Sequence, residues 1–201
     1  MPELPEVETI RKALKKHLPG KRIKRILVRD PRLRWPVDEK KLQKLILDQR
    51  IATVNRRAKY LIIKFEQDST LIIHLGMSGR LLLLPNQSEE FAKHDHVIFY
   101  FDNETELRFQ DPRRFGMIEA VPPGALKLYP RFTKLGFEPL SKRTTSEKLF
   151  EKARNLKKPI KNLLMDAHFI VGVGNIYANE ALFHAGIHPE QASNRLSSSD
   201  W

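Results

Sequence analysis

The sequence has 201 residues, enough for one good core or two small domains. Lys and Arg number 36 against 24 Asp and Glu, and the net charge of +12 favours a polyanionic partner, nucleic acid before an anionic membrane surface, over a merely soluble basic protein. The absence of cysteine excludes disulfides and a cysteine zinc site, no apolar run reaches a membrane span, and the acidic amino terminus is no signal peptide, so a cytoplasmic location is the default.

The chain opens Met1-Pro2-Glu3-Leu4-Pro5-Glu6-Val7-Glu8-Thr9. A small residue at position 2 favours removal of the initiator Met, which leaves Pro2 with a secondary α-amine. An α-amino group titrates at roughly 7.7–8.0, so much of it is nucleophilic near neutrality. Condensed with an aldehyde, such an amine gives an iminium, a cation that needs no proton and draws electrons from a following elimination. Glu3 and Glu6, one helical turn apart, are placed for proton transfer. Pro and Glu are equally ordinary first-turn helix residues, and the stretch alone does not separate the two readings.

Val7, Ile10, Leu14 and Leu18 predict an amphipathic helix from residue 5 to about 18, stopped by Pro19-Gly20. Arg22–Arg29 alternates like a strand, and Glu39–Leu47 reads as a short helix. From Ile51 onward the pattern is β: Tyr60–Glu66, Thr70–His74, Arg80–Leu84, His96–Phe101, Glu106–Gln110 and Gly116–Val121 read as strands. So many strands behind one leading helix predict an α+β fold, a β-sandwich flanked by helices over 1–124. Residues 125–140 read as a linker, and 141–201 as a helical domain. Its helices run from Thr145-Ser146 to about Asn155, from Pro159 to about Asp166, and from about Asn175 to Ala185 after the turn Gly172-Val173-Gly174. Ser197–Trp201 reads as a helix cap without its helix, so the chain is expected to be a truncated form of a longer architecture.

Several stretches carry chemistry. Lys59, in Arg56-Arg57-Ala58-Lys59-Tyr60, is either a phosphate contact or second amine, or a solvated guard on a strand edge. Met77 stands between Gly76 and Gly79, as a wedge for a gap in a base stack or as core filler. Arg113 beside Phe115 combines hydrogen bonding with stacking, although Asp111 pairing with Arg113 or Arg114 in a plain turn is the alternative. His94 and His96 would share a strand face, but nothing is clearly placed to complete a metal site and a phosphate contact by His94 is favoured. Lys157 and Lys161 flank one helix start and Gly172-Val173-Gly174-Asn175 forms another, both suited to a DNA backbone.

Taken together, these stretches resemble the signatures of bacterial formamidopyrimidine-DNA glycosylase: Pro2–Thr9, Arg57-Ala58-Lys59-Tyr60, His74-Leu75-Gly76-Met77-Ser78-Gly79, Asp111-Pro112-Arg113-Arg114-Phe115-Gly116 and Gly172-Val173-Gly174-Asn175-Ile176-Tyr177, in order along the whole chain. The resemblance implies a β-sandwich followed by a helix–two-turn–helix domain, here incomplete. It implies a monomer that flips a damaged nucleotide out of double-stranded DNA, removes oxidised purines (8-oxoguanine, formamidopyrimidines), and cleaves the abasic site through a Schiff base on Pro2. By resemblance Glu3 handles protons at the deoxyribose, Lys59 acts in the β-elimination and touches phosphate, and Glu6 orders the amino terminus. Met77, Arg113 and Phe115 fill the void, with Arg113 facing the orphaned cytosine. His94, Lys157, Lys161, Asn175 and Tyr177 hold the backbone. Longer family members add a segment with one zinc in a four-cysteine finger; it is missing here, so no cofactor is expected in this chain. Two alternatives are a truncated DNA-binding fragment without catalysis and the related branch acting on oxidised pyrimidines. Leu4 and the intact 111–116 loop favour the purine branch. A basic protein of the ribosome or nucleoid would explain the charge but not the signatures.

Overall fold

The computed structural model describes residues 2–85 and 90–201. They form two compact units, Met1–Tyr129 and Pro130–Trp201.

In the first unit, helix α1 (Leu4–His17) leads into β1 (Ile23–Val28), α2 (Glu39–Ile46) and seven more strands: β2 (Ile51–Arg57), β3 (Tyr60–Phe65), β4 (Thr70–His74), β5 (Arg80–Pro85), β6 (Asp95–Phe101), β7 (Thr105–Gln110) and β8 (Met117–Val121). They make two antiparallel four-stranded sheets, ordered β1-β6-β7-β5 and β2-β3-β4-β8. One apolar cluster joins them, with Val97, Phe99, Leu107 and Phe109 from the first and Leu61, Ile63, Leu71, Ile73 and Ile118 from the second. Val7 and Leu14 of α1, and Leu42 and Ile46 of α2, close the same core, which is the α+β sandwich expected from so many strands behind one leading helix.

Helix α1 begins where the sequence chemistry requires. The backbone N–H of Glu3 donates to the Glu6 carboxylate at 2.8 Å, part of a capping box that satisfies end groups with no intrahelical partner. Proline stands in the first turn, where its missing N–H costs nothing. Glu8 then binds Arg11 (2.7 Å) and Arg56 of β2 (2.9 Å), fixing the helix to the sheet. Burial pushes the Glu8 carboxyl up, but hydrogen bonds and charge from Arg11 and Arg56 outweigh it and hold it below the usual range.

Residues 125–140 divide between the units. Ala125–Leu128 is a 3-10 turn, and buried Tyr129 donates to Glu119 of β8 at 2.6 Å. Phe137 bridges Ile170 in the second unit. That unit contains α3 (Ser146–Ala153), capped by Thr145, then α4 (Ile160–Leu164) and α5 (Asn175–Ala185). Helix α4 is shorter than its sequence pattern predicts. The Asp166 side chain accepts from the His168 backbone and pairs with Lys158, which turns the chain. Ser197 caps a single 3-10 turn, Ser198–Asp200, and Trp201 packs on Phe169 with ring centres 5.6 Å apart.

Candidate active site and nucleic-acid interface

The amino terminus, the head of α1 and the β2–β3 turn converge. Pro2 is half-buried and Glu3 is only 3% exposed. Lys59 stands in the two-residue turn between Arg57 and Tyr60, after Ala58, whose φ of 52° is left-handed. Burial pushes the Lys59 ammonium down, and the charges of Glu3 and Glu6 draw it part of the way back. The Pro2 nitrogen, two carboxylates and a lysine shifted toward its neutral form therefore share one neighbourhood. Arg56 secures it, since the side chain that holds Glu8 also donates to the Ala58 carbonyl at 2.8 Å and so fixes the Lys59 turn to α1. Met1, whose removal the Pro2 amine requires, lies outside the described residues.

Pro2 also lines a cleft of about 670 Å³ with Met77, Ser78, Arg80, Gln110 and Pro112. The 75–79 and 111–116 loops thus reach the same space as the amino terminus. Met77 and Phe115 are each 41% exposed, unusual for large apolar side chains beside a well-filled core. Met77 is not core filler. The Arg113 guanidinium lies 5.2 Å from the Phe115 ring centre. Gly76, at φ 63°, meets the Phe115 backbone so closely that a Cβ there would overlap it. Met77, Phe115, Gly76 and His74 border a second hollow of about 480 Å³ with Arg34 and Arg114.

Asp111 does not pair with Arg113 or Arg114, as the plain-turn alternative supposed. Its buried carboxylate accepts from the Ser78 hydroxyl (2.6 Å) and the Gly116 backbone (2.7 Å), while Arg114 is held by Asp30 at 2.5 Å. His94 belongs to the turn entering β6. Beneath that turn Arg108 bridges Asp95 (3.0 Å) and Glu106, and donates to the Glu90 carbonyl. Nδ1 of His94 has no hydrogen-bond partner among the described residues. His96 does not join it at a metal: its Nε2 lies 2.8 Å from the Asp111 carbonyl, and no group of three or more metal-ligating side chains occurs among the described residues.

On the second unit, Lys157 is exposed and Lys161 half-buried in the first turn of α4. Asn175 and Tyr177 occupy the first turn of α5, behind Gly174 as its cap. Three contributors were not singled out from sequence. His74 stacks at a tilt on Tyr60 and accepts the Gly76 N–H at 3.0 Å, Ser78 tethers the two loops, and Arg56 anchors the Lys59 turn. The i+2 spacing of His74 and Gly76 was the available signal for the first; the others depend on contacts distant in sequence.

Comparison with known proteins decides the family. The formamidopyrimidine-DNA glycosylase N-terminal domain profile matches residues 1–118, and the formamidopyrimidine-DNA glycosylase H2TH domain profile matches 135–201. The chain belongs to the formamidopyrimidine-DNA glycosylase family. It is 47% identical to the formamidopyrimidine-DNA glycosylase of Acidithiobacillus ferrooxidans over 197 residues, 98% of this chain and 71% of that protein. Identity to the Shewanella amazonensis relative is 48%, over 98% of this chain and 70% of that one. Among solved structures, Lactococcus lactis Fpg with abasic-site DNA superposes with a TM-score of 0.89 at 34% identity, covering 98% of this chain and 72% of that one. The same enzyme with DNA containing an oxidised pyrimidine gives 0.90 at 35%, covering 99% and 74%. The loops interlocked through Gly76 and Asp111 therefore belong to a glycosylase fold solved repeatedly with damaged DNA.

Proposed function

We propose that this chain is a base-excision-repair enzyme that removes oxidised purines (8-oxoguanine, formamidopyrimidines) from double-stranded DNA and cleaves the abasic site left behind, acting in the bacterial cytoplasm at the nucleoid. The observation that carries the reading is the convergence of Pro2, Glu3 and Lys59 beside a cleft that Met77 also enters.

The Pro2 nitrogen attacks the sugar C1′ as the bond to the base breaks, and the base leaves with the electron pair and takes up a proton. Glu3 shuttles protons at the deoxyribose, one of them to the ring oxygen as it opens, which leaves an iminium. Removal of a C2′ proton then expels the 3′ phosphate. Lys59, its ammonium already destabilised by burial, serves that elimination and touches phosphate. Glu6 keeps the helix head ordered through its bond to the Glu3 backbone. Met77, Arg113 and Phe115 fill the space of the flipped nucleotide, with Arg113 toward the orphaned cytosine. His94, and on the second unit Lys157, Lys161, Asn175 and Tyr177, hold the backbone.

Family members of greater length carry a four-cysteine zinc finger. This chain has no cysteine and no suitable ligand group among the described residues, so its residues do not fit a zinc site and no step above passes through a metal. No helix among the described residues is long and apolar enough to cross a membrane.

Strand cleavage of a duplex with 8-oxoguanine opposite cytosine tests the reading. Glu3→Gln is expected to lose cleavage by about 10²–10⁴-fold, the usual scale for a lost acid–base group, while retaining duplex binding. Binding without cleavage by the unmodified chain, freed of Met1, would leave a DNA-binding fragment. Preferential cleavage at an oxidised pyrimidine would move the substrate assignment to that branch.

A further inference from the structure

Asp111 stands where three separate segments meet, and each of its polar groups is used. Its backbone N–H donates to the His94 carbonyl at 3.1 Å, and its own carbonyl lies 2.8 Å from His96 Nε2. One carboxylate oxygen accepts from Ser78 and the other from the Gly116 N–H. Ser78 passes the connection on, since its oxygen accepts from the Arg113 backbone at 3.1 Å. Asp111 is fully buried, and no cation pairs with it among the described residues. A buried carboxylate held by neutral donors alone is costly unless both oxygens must accept. Here both must, because one faces a hydroxyl of the Met77 loop and the other a backbone amide of the Phe115 loop. The arrangement serves geometry: the 75–79 loop, the 111–116 loop and the His94 turn are all referred to one side chain.

We propose that Asp111, through Ser78, is the positioning residue that makes the two exposed loop tips a single preset wedge, so that Met77 and Phe115 enter a duplex together rather than independently. Gly76 supports this from the other side of the contact, where it admits the Phe115 backbone that any side chain would exclude. The inference rests on the reading of Met77 and Phe115 as void fillers in a flipped duplex.

Cleavage of one abasic site measured in duplex and in single-stranded DNA, on the same enzyme preparation, separates the cases. The single strand has no stack to wedge open, so the duplex-to-single-strand rate ratio reports the wedge. Met77→Ala and Phe115→Ala should each lower that ratio about tenfold, on the scale of one lost stacking contact. Ser78→Ala should lower it comparably, Ser78→Thr, which keeps the hydroxyl, should restore it, and Ser78→Ala with Met77→Ala should do little more than either alone, as residues acting as one unit do. Asp111→Asn, which leaves only one accepting oxygen, should fall between Ser78→Ala and the unmodified protein. General loosening would lower both rates and leave the ratio unchanged; that outcome, or a normal ratio for Ser78→Ala beside depressed ratios for Met77→Ala and Phe115→Ala, overturns the inference. Normal ratios for Met77→Ala and Phe115→Ala would remove the wedge reading itself, and the inference with it.

Discussion

Two regions of this protein present large apolar side chains to solvent, and they differ in how those side chains are held. Met77 and Phe115 sit on loops locked backbone to backbone at Gly76 and tied by the Ser78–Asp111 hydrogen bond. Phe183, on α5 of the second unit, is 82% exposed, twice as much as either, and its ring lies beside that of its neighbour His184, with centres 5.9 Å apart. Exposure alone therefore does not mark a working residue, since most surface apolar groups need no explanation. Exposure joined to a backbone that is costly to build does, because strain and buried polar groups persist where something depends on the resulting geometry.

The sharpest way to break that contrast is at its hinge. Gly76→Ala places a Cβ against the Phe115 carbonyl in a left-handed conformation and is expected to cost about 2–5 kcal/mol in denaturant unfolding. A smaller but functional effect should follow from Phe115→Ala, which is expected to weaken binding to an abasic duplex by about 1–3 kcal/mol, the range for one stacking contact. Phe183→Ser should alter folding stability by less than about 0.5 kcal/mol, as surface substitutions usually do. Equal losses from Phe115→Ala and Phe183→Ala in duplex binding would erase the distinction between the two regions.

Two pH effects sharpen it further at the amino-terminal site. Burial lowers the Lys59 pKa, so its neutral amine forms at lower pH than an ordinary lysine's. Beside the rise that the Pro2 amine itself sets at roughly 7.7–8.0, the pH–rate profile of cleavage at a preformed abasic site should carry a second rise below the usual lysine range, and Lys59→Gln should remove that second rise alone. Glu8 works in the opposite direction. Its folded pKa is depressed by Arg11 and Arg56, so its stabilisation is present above the unfolded carboxyl value near 4.3 and is lost as pH falls through the lower folded value. Glu8→Gln should flatten the acid side of the stability curve, read as the urea midpoint against pH.

Much of this was legible because the strands are short apolar runs bounded by turn residues and the helices carry recognisable starts. Met77, Arg113 and Phe115 stood out by residue type and nearby glycines, and Lys59 by its basic run before a strand. What stayed hidden was partner choice. Asp111 beside two arginines reads as an ion pair, but Asp30, far off in sequence, takes Arg114 and releases Asp111 to Ser78. From sequence, β6 and β7 read simply as strands. Within them Asp95, Glu106 and Arg108 are buried as an ionic cluster under the His94 turn, an arrangement that only tertiary packing creates. The shortness of α4 likewise follows from Asp166 turning the chain, a side-chain contact that helical periodicity does not register.

The most direct measurement is borohydride trapping at low salt with duplexes bearing 8-oxoguanine or a preformed abasic site, followed by peptide mapping. Reduction fixes an iminium as a stable link, and a covalent DNA adduct on the Pro2 amine is expected from both duplexes, with a weaker one from Pro2→Gly, whose primary amine can still condense with the aldehyde. No adduct from either duplex, with a folded chain shown to begin at Pro2, or an adduct mapping to Lys59 instead, would contradict that expectation.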